Sequence, residues 1–195
     1  ARRVAVHRGN LGYELACLGR YDEAENQLQQ ALAVFTGEYG RPITEPRRNI
    51  LGRSMALVEY KLGIVDAWQG AFPEAHDHYL RGLELLRASK AEPWRYVLIG
   101  VGLGSIACRT AHFALAHAYL TAAARLAREL NDIPGIMLVL RELAHFALEE
   151  GRLKEALAIG KEALEYALKY GFSFDLALVL ADIAAVAYAR DIGLL

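Results

Sequence analysis

The chain has 195 residues, of which 54% are hydrophobic and 23% charged, and its net charge is −1. This balance favours a large buried core and gives no electrostatic reason to expect nucleic acid or anionic lipid as a partner. The N-terminus lacks the apolar stretch of a signal peptide, and the longest uncharged apolar run, 96–108, is shorter than the roughly 20 residues that span a bilayer. Cys17 and Cys108 lie far apart and fit free thiols. We therefore expect a soluble cytoplasmic protein with no membrane contact.

A six-residue phrase recurs along the chain, as GRYDEA at 19–24, GAFPEA at 70–75 and GRLKEA at 151–156. A leucine and a small residue stand together twelve residues before the last Ala of each phrase, and another small residue follows seven residues after it. The same spacings uncover a degenerate copy, AHFALA at 111–116. The small residues that begin the copies, including a final half copy, are Gly12, Gly63, Gly104, Ala144 and Ala184. The chain is therefore built from repeats of about 40 residues.

Each repeat predicts two antiparallel helices, an A helix and a B helix, joined by a tight turn that contains the glycine. Small residues let the two helix backbones approach closely, and no alternating strand pattern occurs. We predict an all-α, right-handed α-solenoid of about nine helices that forms one domain over residues 1–195. The predicted units are 5–36, 45–88, 93–130, 134–170 and a terminal helix at 173–190. The chain begins with Ala and ends without a polar capping helix, so we expect it to be part of a longer polypeptide.

The stretch TGEYGRPITEPRR at 36–48 holds most of the extra residues of the first repeat step. We predict a solvated loop there before a long A helix, with a binding loop as the alternative. Three prolines, Pro46, Pro93 and Pro134, suit the first turns of helices because the missing N–H is not needed there.

The repeated residues resemble the tetratricopeptide repeat, whose pattern includes a Leu-Gly pair and later small residues. In the first copy the matching residues include Leu11, Gly12, Ala24, Leu28 and Ala31. The period differs, since the standard unit has about 34 residues, and the late proline of the family pattern is absent. The long period is similar to that in sensor regions of bacterial regulators related to the maltose activator and in adaptors related to kinesin light chains.

The resemblance implies that the A helices line a concave groove. The residues that it places there are Tyr13, Tyr60, Trp68, Arg109, Arg141, His145, Glu149 and Tyr188, with Cys17, Ile64, Ser105 and Cys108 in the same register. For Tyr60 and Trp68, packing against the next helix is the alternative. Relatives that clamp a peptide carboxylate use Lys and Asn at positions where this chain has Gly9 and Tyr13, so we do not expect that function.

The sequence contains no convincing motif for nucleotide binding or catalysis. The run GVGLGS at 100–105 lacks the spacing of a nucleotide-binding loop, but Gly100, Gly102 and Gly104 inside a helix need a reason, such as close packing, a kink or room for a ligand. No catalytic set can be argued from the spacing, and we expect no enzyme, cofactor or metal site.

Two candidate metal pairs are poor. Cys108 and His112 would face the same way only if one helix contained both, and the register places a turn there. His76 and His78 are two residues apart, so their side chains diverge on a helix.

We therefore predict a non-enzymatic scaffold that binds a protein or peptide through the groove, and self-association through uncapped ends as a further option. The alternative is a ligand-sensing regulatory region of a larger ATP-dependent signalling or transcription regulator.

Overall fold

The computed structural model describes residues 2–171, and eight α-helices make up most of this part. The helices are α1 Arg2–Cys17, α2 Tyr21–Tyr39, α3 Glu45–Gln69, α4 Phe72–Ala88, α5 Trp94–Arg109, α6 Phe113–Glu129, α7 Ile133–Glu149 and α8 Leu153–Tyr170. Within residues 2–171 there is no strand, which confirms the all-α prediction. The odd-numbered helices are the predicted A helices and the even-numbered ones the B helices. The helix predicted at 173–190, with Tyr188, lies outside the described residues.

The chain packs into two compact units, 1–102 and 103–195, with the division inside α5. The single domain over residues 1–195 therefore stays a prediction. Within residues 2–171 no helix combines the length and the apolarity that crossing a membrane requires.

The glycines of the repeated phrase form the turns between paired helices. Gly19, Gly70 and Gly151 have φ angles of 74°, 82° and 71°. This left-handed conformation is costly for residues with a side chain and free of that cost for glycine. Ala111 occupies the equivalent turn of the degenerate copy, with φ 58°. The phrase recurs because each helix pair needs the same turn.

In unit 1, α1 packs on α2 and α3 packs on α4. The small residues at the repeat anchors permit this approach. A Cβ added at Gly12 would lie 2.7 Å from Cγ of Leu28, and one added at Gly63 would lie 2.6 Å from the ring of Tyr79. Gly102 meets the same ring at 2.6 Å. Close packing is thus the reason for the glycine at position 102.

In unit 2, α7 packs on α8 and on α6. A Cβ added at Gly104 would lie 2.7 Å from the side chain of Leu120. Ala116 and Leu120 are fully buried and form a cluster with Ala107 and Phe146. The repeat anchors therefore serve the same purpose in both units.

The prediction of a loop at 36–48 is wrong for most of that stretch. Helix α2 continues to Tyr39 and α3 begins at Glu45, so only residues 40–44 are non-helical. Tyr39 packs against the unit 1 core, which favours the extra turn of α2. Glu38 also accepts a hydrogen bond from Arg47 of α3 at 2.9 Å. The extra residues of the first repeat step are accommodated by the 25-residue helix α3.

The prolines mark helix starts as predicted. Pro46 and Pro134 lie in the first turns of α3 and α7. Pro93 immediately precedes α5. A fourth proline, Pro73, begins α4 in the same way.

Candidate functional site

Two of the predicted groove residues come together on the α1–α3 face of unit 1. The rings of Tyr13 and Trp68 lie 6.4 Å apart between centroids and are tilted by 35°. Trp68 is 41% exposed although it touches another ring. Ile64, one turn earlier on α3, is half-buried, and Cys17 is exposed. The pair offers an aromatic surface that solvent can reach.

Lys61 adds a positive charge to this face. Its Nζ donates to the carbonyl oxygen of Gly9 and to Oδ1 of Asn10, both at 3.0 Å, and lies 5.8 Å from the centroid of the Tyr13 ring. Burial lowers the pKa of Lys61, while Glu14 acts in the opposite direction. The ammonium group therefore links α1 to α3 beside the aromatic pair. Sequence reasoning missed Lys61, although it stands seven residues before Trp68 and so lies on the same side of α3.

Tyr60 packs against other side chains inside unit 1. Its ring lies 5.9 Å from that of Tyr79, which is buried. Tyr60 also lines a cavity of about 10 Å³ with Leu57 and Leu98. A space of that size is on the scale of one water molecule. The packing alternative therefore describes Tyr60 better than it describes Trp68.

The predicted residues of unit 2 lie at the end of α5 and along α7. Arg109 is the exposed last residue of α5, and His145 and Glu149 are exposed on α7. Arg141 donates a hydrogen bond to its neighbour Glu142 at 3.2 Å. The spacing of four residues places Arg141, His145 and Glu149 along one side of α7. This part of the A-helix surface is polar and charged.

The thiol of Cys108 is poorly suited to reaction. Burial raises its pKa, and the carboxylates of Glu149, Glu142 and Glu150 raise it further. A thiol of this kind stays protonated at neutral pH, and the thiolate is the reactive form.

The two histidine-containing pairs do not bring metal ligands together. Helix α5 ends at Arg109, and His112 instead contacts Oγ1 of Thr110 at 2.9 Å. His76 and His78 lie near different carboxylates. Nδ1 of His76 is 3.9 Å from Oδ1 of Asp77, whereas Nδ1 of His78 is 2.6 Å from Oε2 of Glu59. No group of three or more His, Cys, Asp or Glu side chains that could hold a metal occurs within residues 2–171.

A buried polar cluster between α3 and α4 was not predicted. Glu59 is only 5% exposed and is contacted by His78 and, at 3.2 Å, by Nε of Arg81. Nε2 of His78 lies 3.5 Å from Oδ2 of Asp66, which is buried and has no hydrogen-bond partner. Burial raises the pKa of Asp66. The one sequence feature that could have indicated this cluster is Glu59, an acid among apolar residues of α3. The cluster faces the inside of a helix pair, so it serves packing more directly than recognition.

A cavity of about 480 Å³ lies among α6, α7 and α8 of unit 2. Two of the arginines that line it pair with glutamates: Arg128 donates to Glu162 at 2.8 Å, and Arg152 donates to Glu150 and Glu155. The third, Arg125, lies 4.0 Å from Glu129, so each arginine of the cavity has a carboxylate nearby.

Comparisons with known proteins agree with the repeat pattern. A family model of the tetratricopeptide repeat matches residues 4–41, which cover α1 and α2. No curated protein matches the chain. Solved structures that match include the nearly identical TPR-like repeats of a protein named as a kinesin light chain from Podosopora anserina and a point variant of the same protein. Each has a TM-score of 0.61 and 15% identity, with 96% of this chain and 87% or 86% of the other chain covered.

At 15% identity, these two structures support a shared fold and nothing further. They extend over helix pairs that the family model does not reach, and the spacing of small residues is common to all four pairs. Residues 4–41 match the tetratricopeptide repeat, and the chain has the fold of tetratricopeptide-like repeat proteins.

Proposed function

We propose that the chain is a non-enzymatic scaffold that binds a protein or peptide through the A-helix surfaces of its units. The observation that carries the proposal is the Tyr13–Trp68 pair, in which a tryptophan remains 41% exposed beside a second ring. Tryptophan and tyrosine are the side chains that most often dominate binding energy in protein interfaces. A helical-repeat fold supports such a role because stacked helices offer an extended surface.

Lys61 supplies the polar component of the unit 1 site. An ammonium group held beside Tyr13 favours a partner segment with an apolar side chain for Trp68 and a carbonyl or carboxylate for Lys61. Arg141, His145 and Glu149 of unit 2 form a second, charged surface for the same kind of partner. Arg109 and Tyr188 remain further members of the predicted set.

The experiment that tests the proposal places a photo-crosslinking amino acid at position 68 and, as a control, at position 80. Leu80 lies on the B helix α4 and is 37% exposed, close to the exposure of Trp68. Crosslinked proteins are identified by mass spectrometry and then purified. Their binding to the unmodified chain, to Trp68→Ala and to Leu80→Ala is measured by calorimetry.

We expect crosslinks from position 68 that are absent at position 80, and binding at least about tenfold weaker for Trp68→Ala. A partner that binds Trp68→Ala and Leu80→Ala equally well would show that the α1–α3 face is not the site. Binding of a small molecule in place of a protein would favour the alternative of a ligand-sensing regulatory region.

A further inference from the structure

The cavity among α6, α7 and α8 of unit 2 has the size and the lining of a small-molecule site. Its volume is about 480 Å³, within the range of roughly 300–1,000 Å³ that ligand pockets occupy. Leu143 and Phe146 of α7 and Ile159 of α8 form an apolar part of the lining. Phe146 is 2% exposed and belongs to the cluster that contains Ala116 and Leu120, so packing fixes this part of the cavity.

The cavity lies where α6 departs from the other B helices. When the last alanines of the repeated phrases are aligned, the residue eight positions further on is leucine in α2, α4 and α8 and alanine in α6. The four residues are Leu32, Leu83, Leu164 and Ala124. Leu32 packs against the core of unit 1, whereas Ala124 lines the cavity. The shorter side chain of Ala124 therefore leaves space that a leucine would occupy.

The next residue of α6 also differs from its equivalents. Arg125 stands where the other B helices have Ala33, Glu84 and Glu165. It lines the cavity together with Thr121, which is four residues earlier and so lies on the same side of the helix. A guanidinium group and a hydroxyl group thus stand together at the cavity, and the cation is particular to α6.

Arg125 is the least constrained of the three arginines that line the cavity. Its nitrogen lies 4.0 Å from Oε1 of Glu129, which is longer than a hydrogen bond, and the two side chains are 76% and 60% exposed. Such an exposed ion pair contributes little to stability. Arg128 and Arg152, by contrast, donate hydrogen bonds to glutamates, and one of these acceptors is Glu155 of the cavity itself. An incoming anion could therefore displace Glu129 from Arg125 at small cost.

We propose that this cavity binds a small organic acid. The apolar body lies against the side chains of α7 and α8, and the carboxylate displaces Glu129 from Arg125, with the hydroxyl group of Thr121 as a second donor. Hydrogen bonds between a guanidinium group and a carboxylate are stronger than those between neutral groups. The site goes beyond the scaffold function. It lies in unit 2, whereas the scaffold proposal depends on Trp68 in unit 1, so each can fail without the other.

Binding of matched acids and amides tests the proposal. Three carboxylates of different shape, 2-naphthoate, cinnamate and octanoate, are each titrated into the 195-residue chain, as are the corresponding primary amides. Binding is followed through the NMR chemical shifts of the backbone amides. We expect at least one acid to bind in the millimolar range or more tightly, at least about tenfold more strongly than its amide. The largest shift changes should fall in α6, α7 and α8.

Two variants locate the site. Ala124→Leu gives α6 the leucine of the other B helices and should weaken binding of the acid at least about tenfold, because the side chain fills part of the cavity. The matched control is Ala122→Leu, which makes the same change at an exposed position of α6 and should bind like the unmodified chain. Arg125→Gln should reduce binding of the acid to the level of its amide and leave the amide unchanged.

Thermal unfolding shows whether each variant is folded. Arg125 has an exposed side chain, so Arg125→Gln decides the outcome even if Ala124→Leu proves unstable. The proposal would be overturned if none of the three acids binds, or if the amides bind equally well. Binding that survives a folded Ala124→Leu, or that is lost equally with Ala122→Leu, would overturn it too. So would a preference for acid over amide that persists in Arg125→Gln.

Discussion

The ring of Tyr79 occupies the space that a side chain at Gly63 would need. A Cβ added at Gly63 would lie 2.6 Å from Cε1 of Tyr79, and one added at Gly102 would lie 2.6 Å from Cζ on the same ring. Tyr79 itself is 2% exposed. A ring of α4 is thus held between glycines of α3 and α5.

We expect Gly63→Ala to destabilise the protein by about 1–3 kcal/mol, although alanine is the better helix former. The added methyl group must displace a ring that Gly102 confines on its other side. The urea midpoint of unfolding measures the change. The control is Gly37→Ala in α2, where no atom lies within 4 Å of the added Cβ. This variant should be more stable by roughly 0.5–1 kcal/mol. Equal effects at the two glycines would contradict the packing of Tyr79.

Ala116 tests the packing of a helix pair in unit 2. It is fully buried on α6, so Ala116→Leu should overpack the contact and cost about 1–3 kcal/mol. Ala122→Leu makes the same change on an exposed position of the same helix and should be nearly neutral. Thermal unfolding followed by circular dichroism compares the two variants. The repeat register would be wrong if Ala122→Leu proved the more damaging.

The degenerate turn offers a test of the recurring glycine. Ala111 has φ 58°, whereas the equivalent Gly70 has φ 82°. We expect Ala111→Gly to stabilise the protein, by up to about 1 kcal/mol, because it relieves the left-handed strain of alanine. Gly70→Ala should destabilise it by a similar amount. Urea unfolding of both variants checks the opposite signs, and changes of the same sign would rule out this explanation of the repeated phrase.

Asp66 should make stability depend on pH. Burial raises its pKa above the ordinary value of 3.8, with Glu25 and Glu74 adding to the rise and His78 and Arg81 opposing it. The unfolded chain therefore loses this proton at lower pH than the folded chain, and the free energy of unfolding falls as pH rises through that interval. We expect Asp66→Asn to be more stable than the unmodified chain at pH 7, on the order of 1 kcal/mol, because Oδ2 is buried without a hydrogen-bond donor.

The same difference should shrink as pH falls through about 3.8, because Asp66 then becomes protonated in the unfolded chain as well as in the folded one. Urea unfolding at pH 7 and at pH 3.5 measures it. The control is Asp77→Asn, because the side chain of Asp77 is 68% exposed on α4. A gain of stability that is the same at both pH values would exclude ionisation of Asp66 as its cause.

The sequence predicts which helices pair and where the turns lie, because both depend on spacings within one repeat. The twelve- and seven-residue steps between small residues locate the contacts within each pair, and the glycine phrase locates the turn. The structure has those turns at Gly19, Gly70 and Gly151. Local rules were insufficient at 36–48, where contacts of Tyr39 and Glu38 with other parts of the chain extend α2.

The sequence by itself therefore determined the all-α class and the pairing of helices, because backbone conformation and small-residue spacing act within one repeat. Only the tertiary structure decided which side chains of different helices meet. Tyr13 reaches Trp68 and Lys61 across two A helices, and Glu59 reaches His78 across a pair. Such contacts depend on the rotation and offset of packed helices. Those are set by the whole buried surface, and no single spacing along the chain encodes them.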